Sequence, residues 1–355
     1  MKQKKKPAYL ALYESLREEI LSGVRPYGSR LPSRRNLSRD RDVSPVTADH
    51  CFELLCEEGY AEARAKSGYF VIYRESDSFS HPVPVSMPRI PAAAAGTPRD
   101  SFPFPALARV MRRVLSDYGE AILVKPPNTG CAELREALCR YLARNRGIRV
   151  EADQIVIGSG AEYLYGLVVE MLGSGRIYGI ESPSYEKIER VYRSKGVECD
   201  LLPLGSDGIR SEALAATRAS VLHITPFRSF PSLITASASK RREYLRWVSR
   251  PERFIVEDDY ESEFSLLRKV EETVFAAAPM QNVIYMNTFS RTVSPSFRVG
   301  YMVLPGRLVS AFQRTVGFYS CSVPAFEQFV LAELLDSGDF ERHVNRIRRR
   351  ERKQA

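Results

Sequence analysis

Gly28-Ser-Arg-Leu-Pro-Ser-Arg-Arg-Asn-Leu-Ser-Arg-Asp-Arg-Asp-Val-Ser-Pro-Val-Thr47 contains two helix starts in close succession. Ser33 is a good N-cap for a short helix over Arg34–Arg39. Ser44-Pro45 opens the next helix, with serine as cap and proline at the first helical position. Upstream, Tyr9, Leu12, Tyr13, Leu16 and Ile20 fall on one apolar helix face, which Gly23 and Pro26 end. Downstream, Ala48, Cys51, Phe52, Leu55 and Cys56 face inward, while Pro45, Val46, Thr47, Asp49 and His50 form the opposite N-terminal face. Gly59-Tyr60 closes that helix. Tyr60–Ala63 and Tyr69–Tyr73 then read as two short strands around Arg64-Ala-Lys-Ser-Gly68. Helix, helix, turn, helix and two-stranded wing is a DNA-reading layout, in which the second helix of the pair enters the major groove. Arg34, Arg35 and Arg39 are placed to bind phosphates, and Lys66 with Gly68 to bring the wing tip to the backbone or minor groove.

Beyond this block the character of the chain changes. Residues 1–75 form the first unit, and residues 76–100 read as a Pro/Ala-rich linker, with His81-Pro-Val-Pro-Val-Ser-Met-Pro88, Pro91 and four alanines before Gly96. From 101 to 355, strand-like apolar runs alternate with helical periods, which predicts an α/β layer fold with a mostly parallel sheet. The strands are expected at Gln154–Gly158, Arg176–Ile180, Val221–Ile224, Phe254–Val256, Val283–Met286 and Val299–Leu304. Polar or aromatic clusters follow several of them: Ser159-Gly-Ala-Glu162, Glu181-Ser-Pro-Ser-Tyr185, Thr225-Pro-Phe-Arg228, Glu257-Asp-Asp-Tyr260 and Asn287-Thr-Phe-Ser-Arg291. Ligands in open α/β sheets gather at that carboxyl edge. The turn at Ser159 suits an anion, because free N–H groups at a helix start point toward the ligand.

The bulk properties agree. With 355 residues the chain is long enough for about two domains. Hydrophobic residues at 44% and charged residues at 27% are ordinary for a globular protein. A net charge of +9 favours a polyanionic partner. The excess gathers at the ends, in Lys2–Lys6 and in Arg342, Arg346, Arg348, Arg349, Arg350, Arg352 and Lys353. The six cysteines form no CxxC pair and no Cys/His cluster, so no metal site is expected and the thiols read as reduced. No secretory leader and no run of about 18 apolar residues is visible, so a cytoplasmic protein that does not span a membrane is expected.

Two resemblances follow. Leu12-Tyr-Glu-Ser-Leu-Arg-Glu-Glu-Ile-Leu-Ser-Gly23, Gly28-Ser-Arg-Leu-Pro-Ser-Arg-Arg-Asn-Leu37, Val43-Ser44, Leu54-Leu-Cys-Glu-Glu-Gly-Tyr60 and Lys66-Ser-Gly-Tyr-Phe-Val71 resemble the GntR-type winged helix-turn-helix. That resemblance implies DNA contacts by Arg35, Ser44 and Thr47, to which the layout adds Arg34, Pro45, His50, Lys66 and Gly68. It also marks two departures, Pro45 where arginine is usual and Asp49 where a basic residue is common. Thr288-Phe-Ser-Arg-Thr-Val-Ser-Pro-Ser-Phe-Arg-Val-Gly-Tyr301 resembles the pyridoxal-phosphate lysine motif of fold-type I aminotransferases, in the form carried by MocR-type (GabR-like) regulators. Phe102-Pro-Phe104, Glu133-Leu-Arg-Glu-Ala-Leu138, Glu257-Asp-Asp-Tyr-Glu-Ser-Glu-Phe264 and Arg342-His343 agree with it in order.

The second resemblance implies that Ser159, Gly160 and Ala161 cradle a cofactor phosphate with Ser290 and Arg298. It implies that Tyr185 stacks on the pyridine ring, Asp258 pairs with the ring nitrogen and Tyr260 bonds the ring oxygen. The family lysine falls at Arg291, and a guanidinium stays charged and offers no amine to a carbonyl. No catalytic residue is therefore assigned, and pyridoxal 5'-phosphate is expected to bind weakly and without a covalent link, if it binds. Arg228-Ser229 stands near the family's His-Gln, and Leu233 where glycine is usual. The family also continues beyond Arg342-His343 into a small domain that grips the substrate carboxylate, and that domain is expected to be missing here, whether natively or by truncation. The expected function is a DNA-binding regulator acting on double-stranded DNA as a homodimer with a small-molecule effector. The alternatives are a working aminotransferase, with Lys240 or Lys269 as its amine, and a dimerisation protein without regulated DNA binding.

Overall fold

Ser33 and Ser44 each accept a hydrogen bond from the backbone three residues on, from Asn36 N at 3.2 Å and Thr47 N at 3.1 Å. Each cap satisfies one orphan donor of its helix, and losing one costs about 1 kcal/mol. The computed structural model describes residues 7–65, 67–74, 102–260, 262–264, 271–278 and 282–354. Lys2–Lys6, Lys66, the 76–100 linker and Lys269 lie outside the described residues. The chain divides into two compact units, 1–94 and 95–355.

In the first unit, α1 (Ala8–Leu21), α2 (Arg34–Asp40) and α3 (Pro45–Glu57) precede the hairpin β1 (Ala61–Arg64) and β2 (Gly68–Val71). Leu12, Tyr13, Leu16, Ile20, Leu37, Ala48, Cys51, Phe52 and Leu55 form its core. The wing strands pair antiparallel from Ala61↔Val71 to Arg64↔Gly68. β1 is shifted by one residue from its expected bounds, while β2 starts one residue and ends two residues early. Gly28 N, Leu31 N and Val71 N bond across the Ser29–Leu31 segment, which becomes a third edge for the hairpin.

The second unit runs α4 (Phe104–Tyr118), α5 (Ala132–Asn145), β3 (Ile155–Gly158), α6 (Ala161–Leu172), β4 (Ile177–Ser182), α7 (Glu186–Ser194), β5 (Glu198–Gly205), β6 (Gly208–Ile209), α8 (Ser211–Ala216) and β7 (Val221–Ile224). It continues with α9 (Ala238–Val248), β8 (Phe254–Asp258), α10 (Val274–Ala277), β9 (Val283–Thr288), β10 (Gly300–Val303), α11 (Gly306–Thr315), α12 (Ala325–Asp336) and α13 (Asp339–Gln354). The sheet order is β3-β10-β9-β8-β7-β4-β5-β6. Strands β4, β5, β7, β8 and β9 are parallel, whereas β10 runs antiparallel to both β3 and β9. Apolar side chains fill both faces, as a covered sheet requires.

Three strands run further than their apolar runs foretell, β4 through Glu181 and Ser182 among them. β8 continues through Glu257 and Asp258, and β9 through Asn287 and Thr288, because those polar residues are buried and still pair. β5 escapes the sequence reading altogether, since its mixed exposure and Pro203 leave no apolar run. Register then builds the site. Gly158, Gly300 and Thr288 lie in one row, so the carboxyl ends of β3 and β9 and the start of β10 share an edge.

Candidate nucleic-acid interface and anion site

The cations of the first unit gather between α2 and the wing. Arg34, Arg35, Arg64, Gly68 and Tyr69 line a cleft of about 410 Å³. Arg34 Nε stands 2.8 Å from Asp49 Oδ1, and its Nη2 donates to the Tyr69 hydroxyl at 2.7 Å. Arg35 is exposed beside it. Gly68 has φ +101°, and a Cβ there would meet the Arg30 guanidinium at 3.4 Å. Arg30 thus joins the wing cations, and sequence reasoning missed it. Arg64 lies over the Phe70 ring at 4.5 Å and pairs with Glu62 at 2.6 Å. On α3, Ser44 and Thr47 share a hydroxyl contact of 2.8 Å at the cap. Pro45, Val46 and His50 are exposed there, with His50 edge-on to Tyr9.

At the sheet edge of the second unit, alternation along β8 sorts three neighbouring acids. Asp258 faces α6, where the Tyr165 hydroxyl donates to it and His223 Nε2 stands 3.6 Å away. The Tyr192 hydroxyl meets His223 Nδ1 at 2.7 Å. His223 was legible only as the polar interruption in Val221-Leu-His-Ile224, and Tyr165 carried no signal of its own.

Glu257 and Asp259 face the opposite side. Asp259 pairs with Arg146 at 2.7 Å and accepts from Tyr285 at 2.7 Å, all deep in the core. Glu257 accepts from Val274 N and Phe275 N, both at 2.8 Å. Burial, with the Asp259 charge, pushes both Glu257 and Glu263 up to about 7 against the opposing pull of Arg146. Glu181, at the end of β4, is likewise pushed up to about 7 by burial although Ser229 donates to it at 2.6 Å.

The expected phosphate cradle already holds an anion of the chain itself. Gly160 has φ +96°, and a Cβ there would meet Arg298 Nη2 at 3.0 Å, so only glycine lets that guanidinium lie against the turn. Arg298 Nη2 donates to Glu162 Oε2 at 2.7 Å, and Lys187 Nζ donates to Glu162 Oε1 at 2.9 Å. Partial burial acts to raise the Glu162 carboxyl, but these two cations outweigh it and hold it down to about 2. Ser159 N donates to Ser322 Oγ at 3.0 Å. Tyr185 and Tyr260 are each 38% exposed, the first edge-on to Phe230 at 6.4 Å. Ser290 is half-buried just past β9. Arg291 is exposed, its guanidinium 5.8 Å from the Phe264 ring centre. Of the two alternative lysines, Lys240 is engaged by Ser211 and Glu243 at 2.9 and 2.7 Å. Lys187, which sequence reasoning did not weigh, brings its amine to the Glu162–Arg298 pair.

Comparison with known proteins separates the two units. "Bacterial regulatory proteins, gntR family" matches residues 8–71, and "Aminotransferase class I and II" matches residues 95–223. The HTH-type transcriptional regulator YhdI of Bacillus subtilis is 30% identical over 98% of this chain and 76% of its own length. The chain belongs to the MocR-type regulators of the GntR family. A probable rhizopine catabolism regulatory protein, MocR of Rhizobium meliloti, is 29% identical over 97% of this chain and 74% of its own. Among solved structures, a kynurenine aminotransferase of Pyrococcus horikoshii is 26% identical, with a TM-score of 0.62, over 70% of this chain and 64% of that one. The LysN aminotransferase of Thermus thermophilus is 27% identical, with a TM-score of 0.61, over 71% and 65%. This regulator therefore spans about three quarters of its curated relatives and a little under two thirds of the solved aminotransferases. Its second unit has the fold-type I aminotransferase architecture. Among the described residues, no helix is long and apolar enough to cross a membrane, and no group of acids, histidines and cysteines could hold a metal.

Proposed function

We propose that this regulator binds double-stranded DNA in the cytoplasm as a homodimer, and that its aminotransferase-like unit senses a phosphate-bearing small molecule without covalent chemistry. The observation that carries the first half is the arginine-lined cleft between α2 and the wing, beside the Ser44-capped start of α3. Arg35, Lys66 and the wing tip at Gly68 supply phosphate contacts, while Pro45, Thr47 and His50 present the groove-facing end of α3, with Ser44 as its cap.

For the second half, the donor set at the sheet edge suits pyridoxal phosphate in its phosphate and ring contacts. Arg298 and the turn at Ser159, Gly160 and Ala161 suit a phosphate, with Ser290 at the same sheet edge. Asp258, supported by Tyr165 and His223, suits a protonated ring nitrogen, and Tyr185 and Tyr260 offer a ring platform and a phenol donor. The group supplies an aldehyde when bound, and Arg291 offers that aldehyde no amine. Glu162 makes the contacts that an incoming phosphate needs, so the ligand must displace a carboxylate of the chain, and binding is weak and reversible.

Mobility shifts over a salt series test the first half. Affinity should fall steeply with salt, and Arg35→Ala should flatten the slope by about 0.9 and weaken all sequences alike. Wild-type protein that binds no duplex at low salt would remove the reading. Calorimetry with pyridoxal phosphate and with inorganic phosphate tests the second half. Heat of binding that survives Arg298→Ala undiminished would place the phosphate elsewhere.

A further inference from the structure

The exposed flank of α3 carries an acid, and that acid holds an arginine from another helix. We propose that Asp49 is a positioning residue for DNA reading. It fixes Arg34, the first residue of α2, as a directional hydrogen-bond donor beside α3, so that a guanine is read by Arg34 and not by a cation of α3 itself. The proposal rests on the DNA-binding reading above.

Three contacts immobilise Arg34. Its Nε lies 2.8 Å from Asp49 Oδ1 on α3. Its Nη2 donates to the Tyr69 hydroxyl at 2.7 Å on β2, and its guanidinium carbon lies 5.6 Å from the Tyr69 ring centre. Tyr69 is itself anchored, because its ring stacks on Phe52 at 4.2 Å and 3°, and Phe52 is fully buried. The guanidinium is therefore tied through one aromatic stack to the core of the unit, while 57% of the Arg34 side chain remains exposed. Nη1 takes part in neither contact.

The arrangement is poor for phosphate and good for a base. An ion pair carries no net charge, so it releases few counterions and its carboxylate repels phosphate oxygens. Exposed ion pairs also add little to stability, so stability does not account for this one. What the arrangement retains is direction, set by the Tyr69 hydroxyl bond and ring, with the Asp49 charge drawing the Nε end toward α3. Arginine has five N–H donors in a rigid fork, and ordering the side chain before binding removes the rotamer cost of ordering it on DNA. A fixed fork matches the O6 and N7 acceptors of guanine in the major groove. Arg35, one residue on and exposed, makes no such contact among the described residues and serves as the phosphate contact for comparison.

The test uses the full-length regulator and a pool of duplexes with a randomised central segment. After selection, affinities are measured for the enriched duplex and its single-base changes at two salt concentrations. Wild-type protein should enrich a guanine whose replacement costs about 10-fold, or about 1.4 kcal/mol. Arg34→Lys keeps the charge but cannot make both contacts, and should lose that discrimination with little change in salt slope. Tyr69→Phe keeps the ring stack and should lose part of it. Asp49→Asn should lose it while tightening non-specific binding, because a repelling carboxylate is gone. The double variant Asp49→Asn/Arg34→Lys should lose no more discrimination than Arg34→Lys alone. Circular-dichroism melts verify that each variant folds.

Retention of the guanine preference in Asp49→Asn or Arg34→Lys overturns the proposal. So does an Arg34→Ala variant that weakens every duplex equally and flattens the salt slope by about one, since that is phosphate behaviour. A wild type that binds with a steep salt slope but enriches no sequence overturns the positioning role and leaves DNA binding standing. A wild type that binds no duplex removes both.

Discussion

Replacing Arg146 with methionine isolates the charge chemistry beneath the sheet edge. Arg146 and Asp259 are 5% and 0% exposed and stand 2.7 Å apart. Glu257 and Glu263 are fully buried close by, and Asn287 donates to Glu263 at 2.8 Å. Burial opposes the Arg146 charge, but Asp259, Tyr285, Glu263 and Glu257 together more than offset that and raise its affinity for the proton. Removing one partner of such a pair costs about 3–5 kcal/mol, because the remaining charge stays buried. Trp247 is the single tryptophan and belongs to the second unit, so its fluorescence follows that unit alone in urea. With a urea m of about 3 kcal/mol/M, the midpoint should fall by about 1–1.7 M. The sign with pH is fixed too. Glu257 and Glu263 carry raised carboxyls, so their contribution is full below the unfolded carboxyl range and is lost as pH rises through about 7. Without Arg146 that loss deepens, so the deficit should be larger at pH 8 than at pH 5.5. A midpoint shift under about 0.3 M, or the same deficit at both pH values, would refute the reasoning.

Other outcomes follow from single residues. Leu233 is non-glycine at φ +58° and 55% exposed, so Leu233→Gly should relieve about 1 kcal/mol of backbone strain and raise Tm by about 2–4 °C; an unchanged or lower Tm speaks against it. Glu162→Gln removes the internal competitor at Arg298, so calorimetry should show phosphate-bearing ligands binding about 10-fold tighter, and weaker binding would show that Glu162 assists the ligand. Gly160→Ala should abolish that gain in the same titration, because the new methyl meets Arg298, and full affinity would place the anion elsewhere. Arg291→Lys should let borohydride fix pyridoxal phosphate onto the peptide containing residue 291, whereas wild-type protein should show no labelled peptide. A labelled wild-type peptide at Lys187 or Lys240 would revive the aminotransferase alternative.

Local chemistry was legible in the sequence, and partnerships were not. Ser33 and Ser44 act within three residues of themselves, so their caps could be read from order alone. The strand cores were readable as apolar runs, but the ends of β8 and β9 were not, because Glu257, Asp258, Asn287 and Thr288 are buried by partners far along the chain. Asp49 read as a lost positive charge on α3. The fold shows an ion pair with Arg34, fifteen positions earlier, and no reading of residue type finds that distance. Glu162 stood in the quoted turn without a role, since its meaning depends on Lys187 and Arg298 arriving from other elements. Lys240, plausible by type, is consumed by Ser211 and Glu243.

On the function proposed above, the same edge of the sheet would keep one half of a cofactor site and lack the other, and the division would follow function. Asp258 keeps two supports behind it, Tyr165 and His223, both nearly fully buried, so the carboxylate that would meet a ring nitrogen is pre-oriented. The alteration at Arg291 falls where bond-making would occur, and the chain's own Glu162 stands where the anion would enter. Arg291 removes the amine, and Glu162 sets a threshold at Arg298 and Lys187. A ligand crosses that threshold only by offering more charge to the two cations than one carboxylate does. A phosphate near neutral pH carries about −1.5 to −2, so it can outcompete Glu162 where a monoanion cannot. Tight, covalent capture would hold the unit in one state, whereas a reversible anion opposed by an internal rival can populate two. A sensor needs the second arrangement, because a ligand shifts an equilibrium only by its differential affinity for two states.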